Sequence, residues 1–456
     1  MLPPVSSCIE ACSHKSFPFT FRGIEFEFAL SQGLFSSAGV DGGTRFLLKI
    51  FSHRIDEVLA AGQSLPRSIL DAGSGAGILG VCAARALNAA RAGWDGRVRA
   101  QDRDELARIF TLYNAAVNGV SPAFLTAHTE PLLAGPPEGG WDLILSNVPA
   151  KTGRPVLLDF VSRSADLLKT GGQVMIVVVN PLAQLFRSRI AGLELPLLYE
   201  EKSREHTVFI YGKKEQPLGS DSILNSSLSK GDSFLQKRPA YLRGSADYTM
   251  EKVSYHIDAF HGAAGFDTPG MVVQTAVKLL NRLKGRLGSS VTALVHEPDQ
   301  GHFPAWLASS RLASPAPAQN GRWVFSGRNI LALEAARHNT LRALGEAAGK
   351  TEIRLLPAVD PDLDRAALTV AGDGGFDLIA LFPEAVPHGA GLSAARLDAW
   401  WDALVTLPAP GGILMASLSA SGAERFDRRK PKEFTRLGDI KRAGFRALAY
   451  EYKNSL

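Results

Sequence analysis

The stretch Ile69-Leu-Asp-Ala-Gly-Ser-Gly-Ala-Gly-Ile-Leu79 constrains this chain more than any other part of it. An apolar run that ends in an acid and opens into alternating glycines is a strand handing over to a ligand-binding turn. Arg67 to Leu70 reads as a buried strand, Asp71 to Gly77 as a tight loop, and Ile78 to Leu87 as a helix with apolar residues at helical spacing. Glycine lacks a β-carbon, so it allows positive φ in the turn and close approach of the backbone to a ligand. The helix start behind it offers unpaired N–H groups. The pattern predicts a nucleotide-like cofactor on a Rossmann-like α/β fold, against the plainer reading of a strand-to-helix turn with no ligand.

Spacing and charge narrow the cofactor. A dinucleotide fingerprint needs Gly-x-Gly-x-x-Gly with pyrophosphate on the helix N-terminus, whereas here Gly73, Gly75 and Gly77 alternate and position 78 is Ile. The carboxylate of Asp71 would repel a pyrophosphate but suits a ligand carrying an ammonium group. This D-x-G-x-G-x-G arrangement resembles the first motif of class I S-adenosylmethionine-dependent methyltransferases. The resemblance implies S-adenosyl-L-methionine as cofactor, with Asp71 near its amino group and Gly73, Ser74, Gly75 and Gly77 shaping the loop.

Two further acids and amides extend the pattern. Val98-Arg-Ala-Gln-Asp102 reads as a short strand ending in an acid, the place from which a carboxylate reads ribose hydroxyls in doubly wound sheets. Asp102 is the ribose candidate; capping the helix that follows, Asp104 to Asn118, is the alternative. Trp141-Asp-Leu-Ile-Leu-Ser-Asn147-Val-Pro149-Ala-Lys151 is another buried strand, ending in residues that would face the ligand crevice. In methyltransferases acting on amino groups or amides this place holds Asn-Pro-Pro-Tyr/Phe. Asn147 and Pro149 match and are the catalytic candidates, the Asn oxygen accepting from the target amino group. Val148 replaces a proline, and Ala150 an aromatic that would stack on a planar target. Strand termination alone is the alternative for Asn147 and Pro149.

Flanking segments sharpen the likeness. Gly33-Leu-Phe-Ser-Ser-Ala-Gly-Val-Asp-Gly-Gly-Thr-Arg-Phe-Leu-Leu48 resembles the segment ahead of the glycine loop in small-domain ribosomal RNA guanine-N2 methyltransferases, and Leu167 to Val179 resembles their helix, Gly-Gly turn and strand. The likeness spans about residues 20 to 213. It implies that Phe35 and Thr44 close the methionine side. His128, in Leu125 to Thr129, is placed by adenine or is an ordinary loop residue.

The second half reads as a worn copy. Glu297 falls on Asp71, Asp299 on Gly73, Gly301 on Gly75, Gly327 on Asp102 and Phe382 on Asn147, so most ligand-contacting positions are lost. Ala264 to Gly270 likewise parallels Ala38 to Thr44. The expected organisation is two Rossmann-like class I methyltransferase domains in tandem: 1–215 catalytic, 216–250 a polar linker, and 251–456 degenerate. The alternative for His296, Glu297 and His302 is an unrelated site.

Composition fits an intracellular enzyme. The 456 residues are 45% hydrophobic and 21% charged, enough for two cores, and no apolar run approaches a membrane span. The start lacks a signal-peptide pattern, and three cysteines, Cys8, Cys12 and Cys82, are too few ligands for a structural zinc site. A cytoplasmic, metal-free protein is expected. The net charge of +5 permits nucleic acid binding without requiring it. The densest basic stretch, Arg425 to Phe434 with Arg436, Lys441 and Arg442, is read equally as a phosphate-contacting or a solvated face.

The expected function is N-methylation of RNA, a guanine amino group of ribosomal RNA being the target the resemblance implies. Methylation of a protein amide or small-molecule nitrogen is the first alternative. A non-catalytic RNA-binding assembly protein is the second.

Overall fold

A computed structural model describes residues 5–35, 38–133, 139–214, 234–263, 267–287, 291–310, 321–360, 375–383 and 394–453. The chain divides into two compact units, the second beginning at Ser233. Among the described residues no helix is long and apolar enough to cross a membrane.

The first unit opens with helix α1 (Val5–Cys12) and an antiparallel hairpin, β1 (Lys15–Phe21) and β2 (Ile24–Leu30). Its two-residue turn holds Arg22 and Gly23 at φ of 50° and 73°, the left-handed pair that matches strand twist. Helix α2 (Gly42–Ala60) follows, capped by Asp41, and then alternating strands and helices: β3 (Ser68–Ala72), α3 (Ile78–Ala90), β4 (Arg97–Asp102), α4 (Glu105–Val117), β5 (Leu125–Thr129) and β6 (Trp141–Asn147). Helix α5 (Arg154–Asp166), β7 (Leu168–Val179), α6 (Asn180–Gly192), β8 (Leu197–Lys202) and β9 (His206–Gly212) complete it.

The seven strands lie in the order β5-β4-β3-β6-β7-β9-β8. β5 to β7 run parallel, and β9 is antiparallel to β7. Apolar residues cover both faces: Ile69, Val98 and Leu143 pack towards α2 and α3, while Leu70, Ile144 and Ile176 pack with Phe160 and Phe186 of α5 and α6. A strand buried on both sides must be apolar throughout, which is why β3 and β6 read as continuous runs. The order reverses between β3 and β6, so the carboxyl ends of those strands flank the switch point where such sheets bind ligands.

The second unit repeats this plan: a hairpin of β10 (Leu242–Met250) and β11 (Val253–Phe260), then a sheet in the order β14-β13-β12-β15-β16-β18-β17. Here β12 is Ala293–His296, β13 Gly321–Gly327, β14 Thr351–Pro357, β15 Phe376–Leu381, β16 Pro408–Ser419, β17 Phe434–Arg442 and β18 Phe445–Tyr452. Helices α7 (Met271–Arg282), α8 (His302–Ser309) and α9 (Ile330–Leu344) pack on it. Both units also repeat one lock at the base of their first strand. Asp142 accepts from the Ser68 N–H as Asp377 does from the Thr292 N–H, each at 2.8 Å.

Two expectations change here. The polar linker of 216–250 gives way at its end to β10, an edge strand whose residues are nearly all exposed, so a polar composition does not distinguish it from a loop. Residues 215–233 lie outside the described residues, as do 264–266 of the segment paralleling Ala38 to Thr44.

The register of the worn copy also shifts by two. Gly77 and Gly301 are the residues that match: each precedes a helix at positive φ, and a β-carbon on either would lie 2.9 Å from Thr111 Cα or 2.7 Å from Ala336 Cα. Asn114 donates to the Ala29 and Ala76 carbonyls, as Asn339 does to those of Asp258 and Gln300. Glu297 therefore falls on Gly73, Asp299 on Gly75 and Gly301 on Gly77, while Val295 falls on Asp71. The expected pairing had matched acid to acid. Backbone conformation overrides it, because φ of 82°, 54° and 81° at Gly73, Gly75 and Gly77 recurs as 56°, 51° and 92° at Glu297, Asp299 and Gly301.

Candidate active site

The glycine loop is held by its own backbone. Gly73 and Ser74 N–H groups donate to the Gln101 carbonyl, Gly77 N–H to the Ser74 carbonyl, and Gly75 N–H to Asp102 Oδ2 at 3.0 Å. The loop thus spends its N–H groups internally and offers space: a β-carbon on Gly75 would meet nothing within 4 Å. Ser74 turns its hydroxyl towards Thr111 Oγ1, 3.3 Å away, so its part is to tie the loop to α4.

Asp71 is fully buried at the end of β3. Its Oδ2 accepts the Gly80 N–H at 2.9 Å, one of the first-turn donors of α3 that have no partner within the helix. Oδ1 is buried and has no hydrogen-bond partner among the described residues. Burial pushes its pKa up to about 7, with the Gly80 N–H opposing the rise and the Asp102 charge adding to it. An orphaned carboxylate oxygen beneath an open glycine cradle fits a ligand that brings its own cationic donor.

Asp102 ends β4, its Oδ1 accepting from the Asp104 N–H and its Oδ2 from Gly75, so it links strand end to loop. Its pKa is raised, first by burial and then by the Asp104 charge. The capping alternative belongs to Asp104, whose Oδ1 accepts the Leu106 N–H at 2.9 Å. Asp102 keeps further lone pairs for ribose hydroxyls.

Asn147 ends β6 next to the switch point. Its Nδ2 donates to Asp41 Oδ1 and to Thr44 Oγ1, both at 3.0 Å. A carboxylate only accepts, so the amide orientation is fixed: the NH2 points to Asp41 and the Oδ1 away from it. No hydrogen bond to that Oδ1 exists among the described residues. Asp41 also accepts from the Thr44 N–H and hydroxyl at 3.0 and 2.7 Å, which makes Thr44 a buried spacer between helix cap and amide. Sequence reasoning passed over Asp41. Its Asp-x-x-Thr spacing at a helix start was the available signal.

Val148 has a reason for not being proline: its N–H donates 3.0 Å to the Val177 carbonyl, a bond proline cannot make. Pro149 and Ala150 are exposed beyond it, and Thr152 closes the turn on the Pro149 carbonyl. Phe35 is not drawn into this cluster by any described contact; its ring is 70% exposed. His128 is a strand residue. It pairs with Gln101 and therefore lies on the sheet face opposite Asp71 and Asp102, bonded to Thr126 Oγ1 at 3.1 Å. Its pKa is lowered by burial and by the Arg99 charge.

In the second unit the equivalent cradle is filled by the protein. The Glu297 side chain reaches over Gly327, where a β-carbon would lie 2.9 Å from Oε2, and its Oε1 accepts the Arg328 N–H at 2.8 Å. One glutamate thus occupies both the loop space and the place of the missing ribose acid. Phe382 stands on Asn147 and packs 5.0 Å from Phe303 in the core. His302 bonds Tyr255 and the Asp267 carbonyl, with burial lowering its pKa to about 4, and His296 bonds Ser326. Among the described residues these are internal contacts. Among the described residues no group of three or more His, Cys, Asp or Glu is placed to hold a metal ion.

Residues 25–187 match the family described as methyltransferase small domain. The chain is 37% identical over 135 residues to the ribosomal protein L11 methyltransferase of Rhodopseudomonas palustris, which covers 29% of this chain and 39% of that protein. It is 26% identical over 171 residues to an uncharacterized Bacillus subtilis protein, 36% of this chain and 74% of the relative. Among solved structures, the T. thermophilus 16S rRNA N2 G1207 methyltransferase in complex with AdoMet and guanosine matches with TM-score 0.54 and 16% identity. That match covers 98% of this chain and 100% of that one, so the tandem fold is shared along the whole length. The family match lies within the first unit and takes in its glycine loop, Asp102 and Asn147.

Proposed function

We propose that the chain methylates an exocyclic amino nitrogen of RNA, a guanine amino group of ribosomal RNA being the target, and that only the first unit holds cofactor. The observation that carries this reading is the locked amide of Asn147, which leaves a single oriented acceptor at the switch point. When bound, S-adenosylmethionine supplies an electrophilic methyl group. Asp71 and Asp102 hold its ammonium and ribose ends, and the loop of Gly73, Ser74, Gly75 and Gly77 gives it room. Asn147 Oδ1 accepts from the target NH2 and aims the nitrogen lone pair, a task of orientation that needs no strong base. Thr44 acts through Asn147, and Pro149 sets the turn behind it. Phe35, 70% exposed, is an aromatic that can serve a planar target as Ala150 cannot.

The second unit, with its cradle filled by Glu297, is read as a substrate-holding module. Arg428, Lys432, Lys441 and Arg442 are exposed and have no ion-pair partner among the described residues, whereas Arg436 is paired with Asp427 and Asp439. Such cations give salt-dependent affinity for phosphates. A protein nitrogen as substrate is favoured instead by Ala150 and by the name of the L11 relative. That relative is aligned over well under half its length.

Transfer from labelled S-adenosylmethionine to RNA, protein and metabolite extracts decides between them. Label in RNA, at a guanine, is expected. Label confined to protein removes the RNA reading, and no label in any extract favours a non-catalytic assembly protein. For the cofactor site, Asp102→Ala is expected to weaken S-adenosylmethionine about 30-fold by calorimetry, the loss of charge-assisted hydrogen bonds of about 2 kcal/mol. Unchanged affinity removes the ribose assignment.

A further inference from the structure

We propose that the imidazole of His206 accepts the proton that the target nitrogen sheds on methylation; this rests on the reading that a nitrogen is the target. His206 begins β9 and pairs with Val179, two residues beyond Val177, the partner of Asn147. It therefore stands on the same rim of the sheet as Asn147, at the carboxyl ends of the parallel strands.

Its ring lies against the first turn of α2. A β-carbon placed on Gly43 would be 3.0 Å from His206 Cδ2, 3.2 Å from its Nε2 and 3.1 Å from Asp41 Oδ1. The Gly43 backbone thus lies close to both the imidazole and the carboxylate that anchors Asn147. A β-carbon there would crowd both the ring and the carboxylate, which gives the Asp-Gly-Gly-Thr run a physical reason.

The backbone beneath the ring is fixed while the ring is uncommitted. His206 N–H donates to Ser203 Oγ at 3.1 Å, and its carbonyl accepts from the Ser203 N–H and hydroxyl at 2.8 and 3.0 Å. Asn180 ties down the carbonyls of Ser203 and Arg204 and accepts from Thr207. Neither ring nitrogen of His206 has a hydrogen bond among the described residues.

The chemistry asks for such a group. As the new N–C bond forms, the S–C bond of the methyl donor breaks and its electron pair stays on sulfur. The nitrogen has then given its lone pair to carbon and carries an extra positive charge until one N–H proton leaves. His206 takes that proton and ends as imidazolium; it returns the proton to water after product leaves. Imidazole is the side chain suited to this near neutral pH.

His206→Ala and His206→Gln are compared with the parent protein, using whichever extract takes up label and S-adenosylmethionine calorimetry on the same samples. A roughly 100-fold fall in kcat is expected for both, the usual contribution of one general base, with cofactor affinity unchanged. Added imidazole should restore part of the activity of His206→Ala and none to His206→Gln. Gly43→Ala, which displaces the ring, should lower kcat by about tenfold through the same loss. A kcat near that of the parent, or loss of cofactor binding along with activity, overturns the proposal. Label in protein alone would overturn the RNA reading while the kcat comparison still judges His206. No label in any extract would overturn both.

Discussion

Asn147→Ala is expected to lower methyl transfer about 100- to 1,000-fold, the range found when one preorganised hydrogen-bonding group is removed from a reacting centre, while S-adenosylmethionine binds as before. Alanine removes the oriented acceptor but leaves the Asp41–Thr44 cap intact, because those two residues bond each other independently of the amide. Asn147→Asp should be worse than alanine. It would set a second carboxylate 3.0 Å from Asp41 Oδ1, where the Nδ2 now donates, and like charges at that distance force one group to protonate or the cap to open. Single-turnover transfer from labelled cofactor, with calorimetry alongside, measures both. Wild-type turnover in Asn147→Ala would remove Asn147 from the chemistry.

The second large effect concerns Asp71 and pH. Its carboxyl holds a proton up to about pH 7 in the folded protein, against 3.8 for an unperturbed aspartate. Between those values the folded state binds more protons than the unfolded state, so this group's contribution makes stability fall as pH rises through the window. Asp71→Asn keeps the acceptor for Gly80 and removes the buried charge. It should therefore gain on the order of 4 kcal/mol over the parent above about pH 8, a gain that disappears below about pH 4. Binding runs the opposite way. A cationic cofactor needs the ionised carboxylate, so affinity should rise about tenfold per pH unit up to about pH 7 and then level off, because below that point the proton must first leave. Asp71→Asn should bind weakly and without that slope. Denaturant melts and calorimetry across pH test both arms, and a flat affinity profile in the parent would separate Asp71 from the ammonium.

Much of the first unit was legible from sequence because its strands are buried on both faces and its turns need glycine. β3, α4 and β6 begin and end within a residue or two of their predicted limits and the last strand follows, whereas α3 runs on to Ala90 and Gly171 and Gly172, expected as a turn, lie within β7. The errors arose where identity of residue type was allowed to stand for position. Matching Glu297 to Asp71 missed the register by two, since left-handed φ can be held by Glu and Asp when the neighbouring clamp of Asn339 demands it. Reading 242–250 as linker failed because an exposed hairpin strand has no apolar face to announce it. His128, read as lying by adenine or as an ordinary loop residue, is a strand residue that pleating turns to the face opposite Asp71.

The sequence by itself determined the doubly wound plan, its repetition, and the residue types that meet at the switch point, because glycine, acid and amide requirements are local. Only the tertiary structure decided how those groups are oriented and which are already in use. It locked the Asn147 amide through Asp41 and Thr44, residues more than a hundred positions away, and committed the loop N–H groups to Gln101 and Asp102. It left one oxygen of Asp71 without a partner among the described residues and filled the second cradle with Glu297. Hydrogen-bond direction and occupied volume depend on what long-range packing brings alongside a residue, and no local pattern encodes that.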